Sequence, residues 1–125
     1  MSNTRSRNKG NAQENAARAR EAFARGKLDR AASLFQKAIQ LDSQQAKYHS
    51  NLGAVLHKAG QLTEACEALE SALAIDPDLP AANDNMGVVL MALGKPDQAL
   101  PFHRRAVKLD KKNAWIHCNL GLCLE

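Results

Sequence analysis

The sequence predicts an all-α solenoid of antiparallel helix pairs, with three repeats followed by one extra helix. Three observations predict this fold. Glycines recur every 34 residues in two series, small residues follow the same spacing, and each unit contains two stretches with helical periodicity. The recurring residues are Gly26, Gly60 and Gly94, then Gly53, Gly87 and Gly121, and with them Ala31, Ala65 and Ala99. A period of this length with two helices per unit is typical of stacked helix pairs.

The composition agrees with a small helical domain. The chain has 125 residues, of which 45% are apolar, 24% charged and only 4% aromatic. This balance is globular rather than disordered, and it argues against an all-β fold, which needs aromatic and β-branched strands. The longest apolar run, Met86 to Leu93, has eight residues and is far shorter than the ~20 that cross a bilayer. The N-terminus lacks the apolar segment of a secretory signal, so we expect no membrane association.

The net charge of +4 is not concentrated on one predicted face. Residues 1–11 contain Arg5, Arg7 and Lys9 and no acidic residue, so they are predicted to form a flexible basic tail. The rest of the chain alternates in sign, whereas nucleic-acid binding requires a continuous basic stripe. We therefore expect no nucleic-acid partner. The three cysteines form no Cys-x-x-Cys pair, which favours reduced thiols in a cytoplasmic protein.

Each predicted unit is a helix, a short turn, a second helix and a second turn. In the middle unit, apolar residues follow helical spacing over 47–58 and 62–75. Gly60 lies between these stretches, where a turn can use its freedom at positive φ. Pro77 ends the second helix, because the residue before proline avoids the helical region. The predicted organisation is 12–45, 46–79 and 80–113 for the three repeats, and 114–125 for the first helix of an incomplete fourth.

This pattern resembles the tetratricopeptide repeat family over about 114 of the 125 residues. The middle unit carries the resemblance best, through Leu52-Gly53, Leu56, Gly60, Ala65, Leu69, Ala72 and Pro77. Elsewhere the chain departs from the pattern: Arg18-Ala19 replaces an apolar residue and glycine, His103 replaces a large apolar residue, and Lys111 replaces proline. The family's tryptophan is also missing, and its places are taken by Asn15, His49, Asn83 and His117.

Two prolines in the last complete unit predict a local irregularity. Pro96 stands where a helix would start, which its fixed φ favours. Pro101 follows five residues later, where it would remove a helical hydrogen bond. We therefore expect a bowed second helix with Pro101 on its outer face, either as tolerated surface variation or as a local hinge.

The resemblance implies a right-handed solenoid whose first helices line a concave groove that holds a partner segment. Asn51, Asn85 and Asn119 would form one row along that groove, whereas the first repeat has Ala17. A carboxamide both donates and accepts hydrogen bonds, so the row is predicted to bind a peptide backbone. It is similar to the asparagine ladder in the tetratricopeptide superhelix of O-linked N-acetylglucosamine transferase. The alternative is that these asparagines bond neighbouring backbone between repeats.

Other residues are predicted to line the groove, and they do not match a known chaperone site. The candidates are Lys47, His57, Lys58, Val88, Met91 and Trp115. The family's carboxylate clamp for chaperone tails needs several basic residues, but Ala16, Ala81 and Asn85 occupy those positions. We therefore do not expect this chain to bind the tails of heat-shock chaperones.

No motif for catalysis, a cofactor or a metal is found in the sequence. It contains no nucleophile elbow, phosphate loop or paired-carboxylate motif. His117, Cys118 and Cys123 point in different directions on a helix and would not converge on one metal. The favoured function is a non-catalytic protein-protein interaction scaffold. The alternative is the substrate-recruiting front of a larger enzyme, of glycosyltransferase or sulfotransferase type, whose catalytic domain lies beyond Glu125.

The predicted final helix, 114–125, is unusually apolar. Solenoids end in helices with a polar outer face, whereas this segment contains Trp115, Ile116, Leu120 and Leu122. A large apolar patch on a protein surface usually marks a site that another chain or segment covers. We therefore expect this helix to be covered by further chain or by another subunit, which makes self-association possible and suggests that the array is interrupted.

Overall fold

The structure is a computed structural model that describes residues 2–109, with side-chain surroundings from Thr4 onward. Six helices form three antiparallel pairs, each stacked on the next, and no strand occurs between residues 2 and 109. The helices are α1 (Ser2–Ala24), α2 (Leu28–Leu41), α3 (Ala46–Lys58), α4 (Leu62–Ile75), α5 (Pro80–Ala92) and α6 (Pro96–Leu109). The predicted all-α solenoid of helix pairs is confirmed. The extra helix predicted at 114–125 lies outside the described residues.

The turn inside each pair depends on a glycine in the left-handed region. Gly26, Gly60 and Gly94 have φ of 77°, 82° and 76°, a region that other residues rarely adopt. In the middle repeat, the N–H of Gln61 then donates to the carbonyl of Leu56 at 2.9 Å, which closes the end of α3. The same bond recurs at the equivalent turns, so one local conformation sets the direction of every second helix.

Close helix contact explains the second glycine series. A Cβ atom placed on Gly53 would lie 2.7 Å from Cγ of Leu69, and one on Gly87 would lie 2.6 Å from Nε2 of His103. These distances are shorter than atoms tolerate, so the backbone of the first helix packs directly against a side chain of the second. Fully buried alanines at the start of each second helix, Ala31, Ala65 and Ala99, permit the same closeness.

The N-terminal segment differs from the expectation of a flexible tail. Residues 2–11 continue α1, which has 23 residues, whereas α2 has 14. Ala12, Ala16 and Ala19 of α1 are buried, and the helix extends from this packed part toward the N-terminus. The segment contains no proline, and extending an existing helix is far easier than nucleating one. The polar composition was therefore a poor guide to its backbone conformation.

α6 accommodates both prolines. Pro96 is its first residue, as predicted, and Pro101 lies inside the helix with its side chain exposed. Pro101 has no N–H to donate to the carbonyl of Asp97, so one hydrogen bond of the helix is lost on the solvent side. The bend expected there stays a prediction.

None of the helices among residues 2–109 is both long enough and apolar enough to cross a membrane.

The helix contact at Gly53 gives a test of this packing. Replacing glycine by alanine in a helix normally stabilises it by up to ~1 kcal/mol. At Gly53, however, the new methyl group would push against Leu69, and overpacking of this kind costs ~1–3 kcal/mol. Urea unfolding followed by circular dichroism should therefore show that Gly53→Ala is less stable than the wild type.

The same change at Gly10 is the matched control. Gly10 also lies in a helix, but no atom would come within 4 Å of its added methyl group. Gly10→Ala should be neutral or slightly stabilising. A Gly53→Ala variant at least as stable as the wild type would show that the contact with Leu69 adjusts freely.

Candidate functional site

The first helix of each repeat carries a stripe of residues that face away from the core. Along α3 the stripe follows helical spacing, and each of its residues is exposed or half-buried, whereas Leu52 and Leu56 on the opposite side are buried. We call this surface the first-helix face. It consists of Gln13, Ala17, Arg20 and Ala24 on α1, Lys47, Asn51, Ala54 and Lys58 on α3, and Ala81, Asn85, Val88 and Ala92 on α5.

The structure brings most of the predicted groove residues together on this face. Asn51, Asn85 and Val88 are half-buried there, and Lys47 and Lys58 are exposed. Two further predicted residues lie at its edge, in equivalent positions of α3 and α5. These are His57, which is half-buried, and Met91, whose exposed fraction of 44% is high for a large apolar residue. Asn119 and Trp115 lie outside the described residues.

The two asparagines of the predicted row have different surroundings. The Nδ2 of Asn85 donates to Oγ of Ser50 at 3.2 Å and so connects α5 to α3. Ser50 is almost fully buried, which makes this a bond between repeats. Asn51 has no such side-chain bond within the described part of the chain, because Ala16 stands where Ser50 stands one repeat later. The alternative of inter-repeat bonding therefore describes Asn85, whereas Asn51 lacks the equivalent bond among the described residues.

The charges on the first-helix face all have one sign. Its charged side chains are Arg20, Lys47 and Lys58, and none of its residues is acidic. Tyr48 lies beside Arg20. Burial raises the pKa of the Tyr48 phenol, nearby Asp42 raises the pKa further, and Arg20 opposes these effects. The phenol is therefore neutral at physiological pH, and the face presents cations, amides and small apolar groups.

Polar residues replace the missing tryptophan and have a role that the sequence did not reveal. The Nδ2 of Asn83 donates to the carbonyls of Pro77 and Leu79, each at 3.0 Å. His49 makes an equivalent bond, in which Nε2–H donates to the carbonyl of Ser43 at 3.0 Å. Both side chains thus hold the turn that precedes their own helix. The missing tryptophan indicated that these positions are unusual. The carbonyls that their side chains bond could be identified only from the structure.

A buried polar pair joins α5 to α6. Nδ1 of His103 lies 3.0 Å from Oδ1 of Asp84, and both side chains are more than nine-tenths buried. His103 was recognised in the sequence as a departure from the apolar pattern, whereas Asp84 was not. The equivalent residues are Ser50 and Leu69 in the second repeat. The pair is closed off from solvent and connects the two helices of the third repeat.

The Cys66 thiol and the possible metal ligands can be compared with what a reactive or metal site requires. Cys66 is half-buried, and burial raises the pKa of its thiol, an effect that Glu70 strengthens and Lys95 opposes. A protonated thiol is a poor nucleophile. Among the described residues, no group of three or more His, Cys, Asp or Glu side chains is arranged to hold a metal ion. His117, Cys118 and Cys123 lie outside that range.

Comparisons with known proteins relate the chain to repeat domains. A family model described as TPR repeat matches residues 19–60, and one described as Tetratricopeptide repeat matches residues 43–112. A search of curated proteins gave no significant match.

Solved structures with the same fold include one domain with a bound peptide. One is the first TPR of Spaghetti (RPAP3) bound to the HSP90 peptide SRMEEVD, with 19% identity, a TM-score of 0.86, and coverage of 92% of this chain and 91% of that one. The Arabidopsis OM64 TPR domain has 19% identity, a TM-score of 0.85, and coverage of 93% and 96%. YrrB, described as a TPR protein with an unusual peptide-binding site, has 29% identity and a TM-score of 0.74, with 88% of this chain matched to 57% of YrrB.

The buried pair of Asp84 and His103 can be tested against the equivalent residues of the second repeat. His103→Leu should destabilise the protein by ~3–5 kcal/mol, because Asp84 is left buried without its partner. The double variant Asp84→Ser/His103→Leu recreates the Ser50 and Leu69 combination of the second repeat, and it should recover most of the loss. Denaturant unfolding of the wild type, both single variants and the double variant measures the coupling. Additive effects of the two changes would contradict a direct interaction.

Proposed function

Because the chain belongs to the tetratricopeptide repeat family, we propose that it is a non-catalytic interaction scaffold whose first-helix face binds a segment of a partner protein. The observation that carries this proposal is the continuity of the face. Asn51 and Asn85 occupy equivalent positions on α3 and α5, two helices that contact each other. One turn further along these helices, Ala54 and Val88 are also at equivalent positions. A partner segment therefore meets similar groups at regular intervals.

The chemistry of the face suits an extended backbone. The Asn51 carboxamide offers both a donor and an acceptor, and the Asn85 oxygen remains an acceptor while its nitrogen bonds Ser50. Small neighbours such as Ala54 and Ala81 leave room for a chain to approach. Asn119 belongs to the same predicted row, and the likeness of this row to the ladder of O-linked N-acetylglucosamine transferase stays a prediction.

We propose a ligand other than the chaperone peptide of the structural neighbour. That peptide, SRMEEVD, is a ligand of Spaghetti (RPAP3), which is only 19% identical to this chain. Ala16, which the clamp pattern would replace by a basic residue, is buried here, and Ala81 carries no charge. Arg20, Lys47 and Lys58 instead spread positive charge along the face. A cytoplasmic setting, the absence of a nucleic-acid partner and self-association through 114–125 are further parts of this proposal.

The asparagine pair gives the test. Peptides selected from a random library on the immobilised chain should bind Asn51→Ala about 2- to 10-fold more weakly, the value of one net hydrogen bond. The stability of Asn51→Ala should be unchanged. Asn85→Ala should weaken binding and also lower the free energy of unfolding by ~1 kcal/mol, because the bond to Ser50 is lost.

Gln98→Ala is the matched control, since Gln98 is an exposed carboxamide on the second helix of its repeat. It should alter neither binding nor stability. If selected peptides bind a folded Asn51→Ala variant as tightly as the wild type, the asparagine contacts are not part of the site. If bound peptides leave the NMR chemical shifts of the α3 and α5 amides unchanged, the binding site lies elsewhere.

A further inference from the structure

A groove of about 450 Å³ lies between α2 and α4, with α3 as its floor. Its α3 residues, His49, Leu52 and Leu56, are on the side of that helix opposite Asn51, so the groove and the first-helix face are separate surfaces. It is a shallow depression that is open to solvent. We call it the second-helix groove. It is lined by Gln36, Ile39 and Gln40, by His49, Leu52 and Leu56, and by Glu64, Glu67, Ala68 and Ser71.

Small residues line this groove at positions where the next repeat has large ones. Ala68 lies on α4, and the equivalent residue on α6 is Phe102. At the next junction between repeats, Phe102 lines a cavity of only about 230 Å³, together with Leu73 and Arg105. The second-helix groove therefore has small side chains, Ala68 and Ser71, at two positions where the following repeat has the large Phe102 and Arg105. The fold tolerates both small and large residues at these positions.

The groove combines an apolar floor with an anionic wall. Leu52 and Leu56 lie at the base of the groove, where each is less than a tenth exposed, and the half-buried Ile39 of α2 lies beside them. Glu64 and Glu67 rise from α4 along one wall, both exposed, and neither has a Lys or Arg nitrogen within 4 Å among residues 4–109. Gln36 and Gln40 form the facing wall on α2 and carry no charge. The local field therefore favours cations beside an apolar anchor.

We propose that the second-helix groove binds a segment of a partner protein in which one or two apolar side chains are flanked by lysine or arginine. The apolar side chains would occupy the space above Ile39 and Leu56, and the cations would pair with Glu64 and Glu67. The Gln36 and Gln40 carboxamides are able to hydrogen-bond the segment's backbone. This surface is distinct from the one in the proposed function, so both can be occupied at once.

The direct test uses three peptides of equal length and the intact chain. The probe is the acetylated octapeptide Gly-Ser-Lys-Leu-Lys-Leu-Ser-Gly, and the controls replace both lysines by glutamate or both leucines by serine. In ¹H–¹⁵N NMR titrations the probe should shift the amides of the lining residues and bind at least about tenfold more tightly than either control. Its affinity should fall as salt is added, because the pairs with the glutamates are exposed.

Two variants locate the site. Ala68→Phe installs the residue that the third repeat carries at the equivalent position, so it should fill the groove and weaken probe binding at least about tenfold. Glu64→Gln/Glu67→Gln leaves the floor intact and should remove the preference for the lysine peptide over the glutamate peptide. The double surface variant keeps the test valid if Ala68→Phe disturbs folding.

Controls separate this site from the first-helix face. Glu70→Gln removes a carboxylate from the same helix outside the groove, and it should leave probe binding unchanged. Asn51→Ala should also have no effect here, whatever it does to peptides selected for the other face. Failure of the probe to bind, equal affinity for the lysine and glutamate peptides, or full binding by a folded Ala68→Phe variant would each overturn the proposal. Self-association that Ala68→Phe abolishes would identify a second copy of the chain as the occupant and would likewise overturn it.

Discussion

The close approach of the two helices within each repeat is the constraint on which the rest of the structure depends. At Gly53 and Gly87 the first helix has no side chain, and Leu69 or His103 of the second helix occupies that space. This contact sets the distance between the helices. The turn glycine, Gly60 in the middle repeat, sets the direction in which the second helix leaves. The turn glycine recurs every 34 residues in all three described repeats, whereas the contact glycine occurs in the second and third and is Ala19 in the first. The three pairs stack on one another.

The same geometry is built from different chemistry in successive repeats. In the middle repeat Leu69 packs over Gly53, and Ser50 beside it is free to accept a hydrogen bond from Asn85. In the third repeat His103 takes the place of Leu69, and Asp84 takes the place of Ser50 to pair with it. Burying such a pair is favourable only when both members are present. Asp84 and His103 therefore act as one paired difference from Ser50 and Leu69. At this pair, we expect a single replacement to destabilise the third repeat more than the second.

The parts of the fold that depend on local conformation could be predicted from the sequence. The turns follow from Gly26, Gly60 and Gly94, and the helices follow from apolar spacing. Contacts between residues far apart in the chain could not be predicted in the same way. The bond from Asn85 to Ser50 joins residues 35 positions apart. Whether an asparagine of the row makes such a bond depends on which residue of the neighbouring repeat lies next to it. The helical conformation of residues 2–11 does not follow from their polar composition, because it extends a helix that packs further along the chain.

The two candidate surfaces share α3, and their opposite electrostatic character follows from how the helix is placed. One side of α3 carries Lys47 and Lys58 and belongs to a face without acidic residues. The other side is apolar and is bordered by the carboxylates of Glu64 and Glu67 on α4. If both proposed surfaces bind partners, their opposite charges would make each surface disfavour a segment suited to the other. Because α3 is held by Gly53 against Leu69 and by Asn85 through Ser50, it forms a firm wall for both surfaces. The two proposals thus assign different chemistry to opposite sides of one helix, and neither requires α3 to move.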